Sequence, residues 1–177
     1  RGRLAAKLVP PPAPAFACDR DVLVPSVVSG RDTDGPVGVV VVNASNAPLA
    51  GARIRVTSDL PAKDAWVELH AMPALTEKKV ALPTLFAANG LGGAKPGTTV
   101  KSVVELVARD GSQLFRLPIE LPVVSTTDRR IVTRTSTIDG SAQYYALVPS
   151  TARTTDPKPG ILFSVHGASV EATGQRS

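Results

Sequence analysis

The sequence predicts a mainly-β protein whose first unit, residues 21–125, is an immunoglobulin-like β-sandwich. Three observations carry that expectation. Apolar residues make up 43% of the 177 and charged residues 20%, enough to bury a core. Valine, threonine, alanine and proline are abundant while aromatics are only 4%, a mix that favours strands and loops over helices. From Asp21 onward, short apolar runs recur between Gly, Pro, Asn and Asp at intervals of about 8 to 12 residues, the rhythm of a sandwich.

The elements follow in order. Residues 1–20 form a proline-rich lead-in, and "DVLVPSVVSG" (21–30) supplies an edge strand, because Pro25 lacks the N–H a central strand must donate. "VGVVVVNASN" (37–46) is too apolar for a strand with an exposed face, and an Asn-rich turn ends it. In "PLAGARIRVTS" (48–58), Ala52, Ile54 and Val56 alternate with Arg53, Arg55 and Thr57, the pattern of a half-buried strand. "DAWVELHAM" (64–72) also alternates, with Ala65, Val67, Leu69 and Ala71 on one face and Trp66, Glu68, His70 and Met72 on the other. "KKVALPTL" (78–85) is a weaker strand and "AANGLGGAKPGTT" (87–99) a glycine-rich loop. "KSVVELVARDGSQLFRLPIELPV" (101–123) is a hairpin about Asp110-Gly111, where a tight turn with two positive-φ residues is expected. No helix is expected before residue 125.

Charge argues against a nucleic-acid partner. Of the net +5, residues 1–20 carry +3, residues 21–125 are neutral with ten charges of each sign, and residues 126–177 carry +2. No basic stripe with interleaved aromatics results. Cys18 is the only cysteine, so no internal disulfide forms and no cysteine metal cluster can be built. No apolar run reaches the ~18 residues of a transmembrane helix. The "AFA" before Cys18 faintly resembles the end of an export signal or a lipoprotein cleavage site, but its apolar core is short and broken by proline, so an extended proline-rich lead-in is the favoured reading; the expected location is secreted or periplasmic.

Beyond the polar "STTDRR" (125–130) the pattern changes. "RIVTRTSTIDGSAQYYALVPS" (130–150) is a hairpin turning at Asp139-Gly140, with Tyr144 and Tyr145 on opposite faces of the return strand. A proline-bearing loop (151–160) leads to "ILFSV" (161–165), continuous and apolar like a strand covered on both faces, and then to His166-Gly167.

The order "DGSAQYYALVPS…KPGILFSVHGAS" resembles the opening of the catalytic domain of α/β-hydrolases of the prolyl-oligopeptidase and esterase type. The resemblance covers residues 130–177. It implies a chain that is mainly β: an immunoglobulin-like β-sandwich followed by the first strands of an incomplete α/β-hydrolase sheet, residues 126–177. It also implies that the loop His166, Gly167, Ala168, Ser169 forms part of the oxyanion hole, with the backbone N–H of Ala168 as donor and Ser169 as second choice. Gly167 would let the backbone approach substrate without a Cβ, and His166 would shape the loop. The nucleophile, acid and base that the family requires have no counterpart here. "GASVE" (167–171) fails at the fifth position of G-x-S-x-G. This chain is therefore expected to be a piece of a longer product, its partner being the rest of the hydrolase and its substrate a peptide or ester.

Other candidates are weaker. His70 could pair with Asp64 or Glu68 as a base, but a polar-face histidine is usually just solvated. His70 and His166 cannot by themselves make a metal site, and no metal or cofactor is expected. Trp66 could stack a sugar ring, or it could be a core or inter-domain tryptophan. "NGLGG" (89–93) lacks the context of a phosphate cradle. The rival reading is a non-enzymatic β-sandwich binding or adhesion module, with residues 130–177 adding strands to the same domain.

Overall fold

A computed structural model describes residues 15–59, 65–86, 93–150 and 161–163, and among them are twelve strands and no helix. In chain order they are β1 (Ala15–Leu23), β2 (Val27–Val28), β3 (Thr33–Asp34), β4 (Val37–Asn43), β5 (Arg53–Ser58), β6 (Val67–Glu68), β7 (Thr76–Leu82), β8 (Leu85–Phe86), β9 (Thr99–Val107), β10 (Gln113–Val124), β11 (Arg130–Thr135) and β12 (Ala142–Leu147).

Two larger sheets share one core. The first has the order β1-β4-β7, and the second β2-β10-β9-β5-β6. All their pairings are antiparallel except β2 with β10. Val37, Val39, Val41 and Leu82 of the first sheet meet Ile54, Val104, Leu106 and Leu121 of the second in a single buried cluster. Each such side chain contributes about 1.5–3 kcal/mol by leaving water. The alternation in residues 52–57 puts Ala52, Ile54 and Val56 inside, as the spacing predicts. β3 with β8 and β11 with β12 form two separate two-stranded ladders.

Pro25 sits where the chain changes sheet. β1 is an edge of the first sheet, β2 is an edge of the second, and Pro25 falls between them, where no ladder needs its missing N–H. The lead-in is shorter than the composition suggests. Backbone pairing of β1 with β4 starts at Ala15↔Asn43, so residues 15–20 extend a sheet instead of preceding it.

β4 is buried on both faces. Val37, Val39, Val41 and Asn43 point into the core, and Gly38 and Val40 are buried on the other side. The cover there is the β11–β12 hairpin: a Cβ built on Gly38 would lie 2.7 Å from the Cβ of Ala142 and 3.1 Å from that of Leu23. The apolar length of 37–42 has that contact as its cause. At the end of β4, Asn43 satisfies its whole amide while 1% exposed. Its Nδ2 donates to the carbonyls of Ala47 (3.0 Å), Met72 (3.2 Å) and Pro73 (2.9 Å), and its Oδ1 accepts from the N–H and hydroxyl of Ser45. The β4–β5 turn is thereby tied to the segment that enters β7, and the geometry needs a side chain with both donor and acceptor.

Three expectations need correction. The Asp-Gly turns are not two-residue turns with paired positive φ. Ala108 N–H donates to Ser112 O (2.8 Å) around a three-residue loop, Ser136 N–H donates to Ser141 O (2.8 Å) around a four-residue loop, and only the glycines, Gly111 (φ 86°) and Gly140 (φ 70°), are left-handed. The aspartates have another task. Asp110 Oδ1 accepts from the Ser112 hydroxyl (2.7 Å) and N–H (2.9 Å), and Asp139 Oδ1 accepts from the same two groups of Ser141, while neither Asp takes a positive φ. Second, the alternation in 64–72 breaks after His70. Ala71 is exposed and Met72 is 2% exposed in the core, because the strand ends at Glu68 and Met72 bridges Leu49 instead. Third, residues 161–163 are in no strand, and Ile161, Leu162 and Phe163 are 81%, 92% and 84% exposed. An interior strand needs neighbours on both edges, and among the described residues nothing stands beside this segment. Residues 164–165 lie outside the described residues.

Two outcomes follow from these contacts. Gly38→Val should destabilise the fold by about 1–3 kcal/mol through overpacking against Ala142 and Leu23, read as a lower urea midpoint with an unchanged slope. The exposed carboxyls of Asp110, Asp128 and Asp139 are held below the ordinary 3.8 by hydrogen bonds. The donors are chiefly the Ser112 hydroxyl for Asp110 and the N–H groups of Ser125 and Ser141 for the other two. Because the folded values are lowered, the stabilisation is present above pH 3.8 and disappears as pH falls through the folded values. A carboxyl-carbon NMR titration should find all three midpoints below 3.8, and Ser112→Ala should raise that of Asp110 alone.

Candidate functional site

His166, Gly167, Ala168 and Ser169, the oxyanion loop implied by the resemblance, lie outside the described residues, as does Asp64. What is described is the ground leading to that loop. After β10 the chain turns at Ser125–Asp128, where the Asp128 carboxylate accepts the Ser125 N–H at 2.7 Å, and it enters β11. β11 and β12 pair in register from Arg130↔Leu147 to Thr135↔Ala142 and hydrogen-bond to neither large sheet as a ladder. Alternation splits the tyrosines as expected: Tyr144 is half-buried and Tyr145 is 46% exposed.

Instead of pairing, the hairpin is seated. Ser26 N–H donates to Ile131 O (2.9 Å), and Ile131 N–H donates to the Ser26 hydroxyl (3.0 Å). Gly35 permits a second close approach, since a Cβ there would lie 2.6 Å from Thr133 Oγ1. Gly35 under Thr133 and Gly38 under Ala142 thus bracket the contact. A cleft of about 230 Å³ runs along this seam, and Ser26, Arg31, Thr33, Asp34, Arg130 and Thr133 are among the residues lining it.

Trp66 is neither a core residue nor a bare platform. It is 38% exposed at the outer side of the second sheet, with the Arg55 guanidinium 4.4 Å and that of Arg53 5.1 Å from the ring centroid. Arg55 Nε and Nη2 donate to Glu105 Oε2 at 3.0 and 2.9 Å, and Arg116 Nε stands 3.7 Å from Glu105 Oε1. The register Arg55↔Glu105 and Glu105↔Arg116 makes this a row across β5, β9 and β10, with Trp66 at its end. The two guanidiniums compete with any sugar for the ring. His70 is exposed in the loop after β6. Among the described residues, no three His, Cys, Asp or Glu side chains are grouped to hold a metal, and no helix is long and apolar enough to cross a membrane.

Compared with family models and with curated proteins, the chain matches none.

Sequence reasoning placed Arg55 and Trp66 on polar faces but missed their partnership with Glu105, which comes from a register between segments fifty residues apart. It also missed the cleft. The one signal available was the pair of glycines at 35 and 38, flanking a proline in an otherwise valine-rich stretch.

Trp66 is the only tryptophan, so its fluorescence reads the row directly. Glu105→Gln should release both arginines, cost about 0.5–1 kcal/mol because the pairs are partly solvated, and change Trp66 emission. Lys101→Gln, outside the row, should leave the emission unchanged.

Proposed function

We propose that this chain is the N-terminal portion of an exported serine hydrolase of the α/β class. In this reading the two-sheet body, an immunoglobulin-like β-sandwich, is an accessory unit, and β11–β12 open the catalytic sheet. The observation that carries the reading is the independence of the hairpin: it pairs with neither large sheet and is followed by the exposed apolar Ile161, Leu162 and Phe163. Three large apolar side chains in water have no use to this body by itself, and a sheet built alongside them would bury them. The Asp139-Gly140 turn and the Tyr144-Tyr145 pair, on which the resemblance rests, belong to this hairpin.

The chemistry proposed is acyl transfer from a peptide or ester. A serine, activated by a histidine and oriented by an acidic residue, attacks the carbonyl carbon, and the carbonyl oxygen takes the negative charge. The N–H of Ala168 donates to that oxygen, with Gly167 leaving room for the approach. One such donor contributes about 3–4 kcal/mol to the transition state. The catalytic serine, acid and histidine would come from beyond Ser177.

The experiment is to express the gene with whatever it encodes past Ser177 and expose the product to a fluorophosphonate probe. A single labelled serine within a G-x-S-x-G turn is the expected result. A gene that stops at Ser177, or a product that never labels, refutes the reading and leaves a binding or adhesion module.

A further inference from the structure

The core that holds the two sheets together takes nothing from the β11–β12 hairpin. Among the described residues, the buried cluster and the apolar side chains packed on it run from Val22 to Val123, and no hairpin residue belongs to it. Ile131, Val132, Tyr144, Ala146 and Leu147 are each half-buried, and Tyr145 is exposed. A two-stranded ladder without a buried face is marginal in water, so the hairpin draws its order from its seat.

That seat is built from small contacts. Ser26 exchanges two hydrogen bonds with Ile131, at 2.9 and 3.0 Å, while Thr133 and Ala142 lie against the bare backbone of Gly35 and Gly38. Contacts of this kind fix position sharply but take little apolar surface out of water. One of them opposes closure. Thr133 is 4% exposed, and its hydroxyl, against Gly35, has no hydrogen-bond partner. The hydroxyl gives up water when the hairpin closes and regains it on opening.

We propose that β11–β12 is a latch, opening and closing as one unit on a body that stays folded. Opening uncovers Gly38 and Val40 on the outer face of β4 and leaves both sheets and their shared cluster intact. The hinge is the connection 125–129, where the bond from Ser125 N–H to the Asp128 carboxylate is internal and need not break. Closed, the seat gives the chain beyond Leu147 one direction; open, it releases that direction. The latch stands on the seam itself and holds whether the hairpin leads into a hydrolase sheet or belongs to a binding module.

The test is native-state hydrogen exchange of the whole chain, followed by NMR in rising, sub-denaturing urea. The ladder amides of β11 and β12 should share one opening constant and one shallow urea slope. Their protection should be about tenfold or more below that of β9 and β10. Val104→Ala, in the core, should lower protection in β9 and β10 and leave the hairpin unchanged, because the closed and open forms lose the same contacts. Ile54→Val is the milder version of that comparison should Val104→Ala fail to fold. Thr133→Val should raise hairpin protection about fivefold, and Ser26→Ala should lower it by a similar factor. The proposal is overturned if the hairpin matches β9 and β10 in protection and slope, or if its amides exchange one by one without urea dependence. It is overturned equally if the core variants weaken both regions alike, or if both seat variants leave hairpin protection where it was.

Discussion

The fold depends on one strand being enclosed from both sides. β4 lies between a hydrophobic core and a hairpin, and alternate residues of it serve the two contacts. Its inner residues, Val37, Val39 and Val41, make the first sheet's share of the core. Its outer face works as a seat only because position 38 carries no side chain, so Ala142 can come within the distance a Cβ would occupy. Packing this close transmits position as well as energy. The hairpin's place is fixed by the same strand that fixes the core.

Much of this could be read from the chain, for identifiable reasons. Strands bounded by Gly, Pro and Asx and showing strict alternation were legible because local pattern and burial agree there, as in 52–57 and 101–123. The double burial of β4 was legible from composition, since a run of valines has no wet side. The failures came where a distant partner decides. Met72 enters the core because it bridges Leu49, and nothing near it in sequence announces that. The Asp-Gly turns were recognised as turns, but serine two residues later, through its bonds to the aspartate, selects longer loops than the dipeptide suggests. "ILFSV" has the composition of an interior strand, but composition cannot provide the neighbours that make one. For the candidate site the limit was stricter: the cleft is lined by segments from Pro25 to Asp34 and from Arg130 to Thr133, a juxtaposition no window of sequence contains.

The body holds the hairpin through the hydrogen bonds between Ser26 and Ile131 and through the close approaches at Gly35 and Gly38. The same seat leaves a polar cleft along the joint. The row from Trp66 through Arg55 and Glu105 to Arg116 keeps the opposite, outward face of the second sheet polar and ordered, well suited to remaining in water.

The five-residue connection of β10 to β11 has a mechanical meaning. A pull on the chain beyond β12 would first peel that strand from β11 one bond at a time, at low force. The load would then reach β10, held along its length by β9 and at its end by β2, where bonds must break together. The hairpin is thus a weak link placed in series ahead of a strong one, and tension from whatever is attached downstream would undo the joint long before it breached the body.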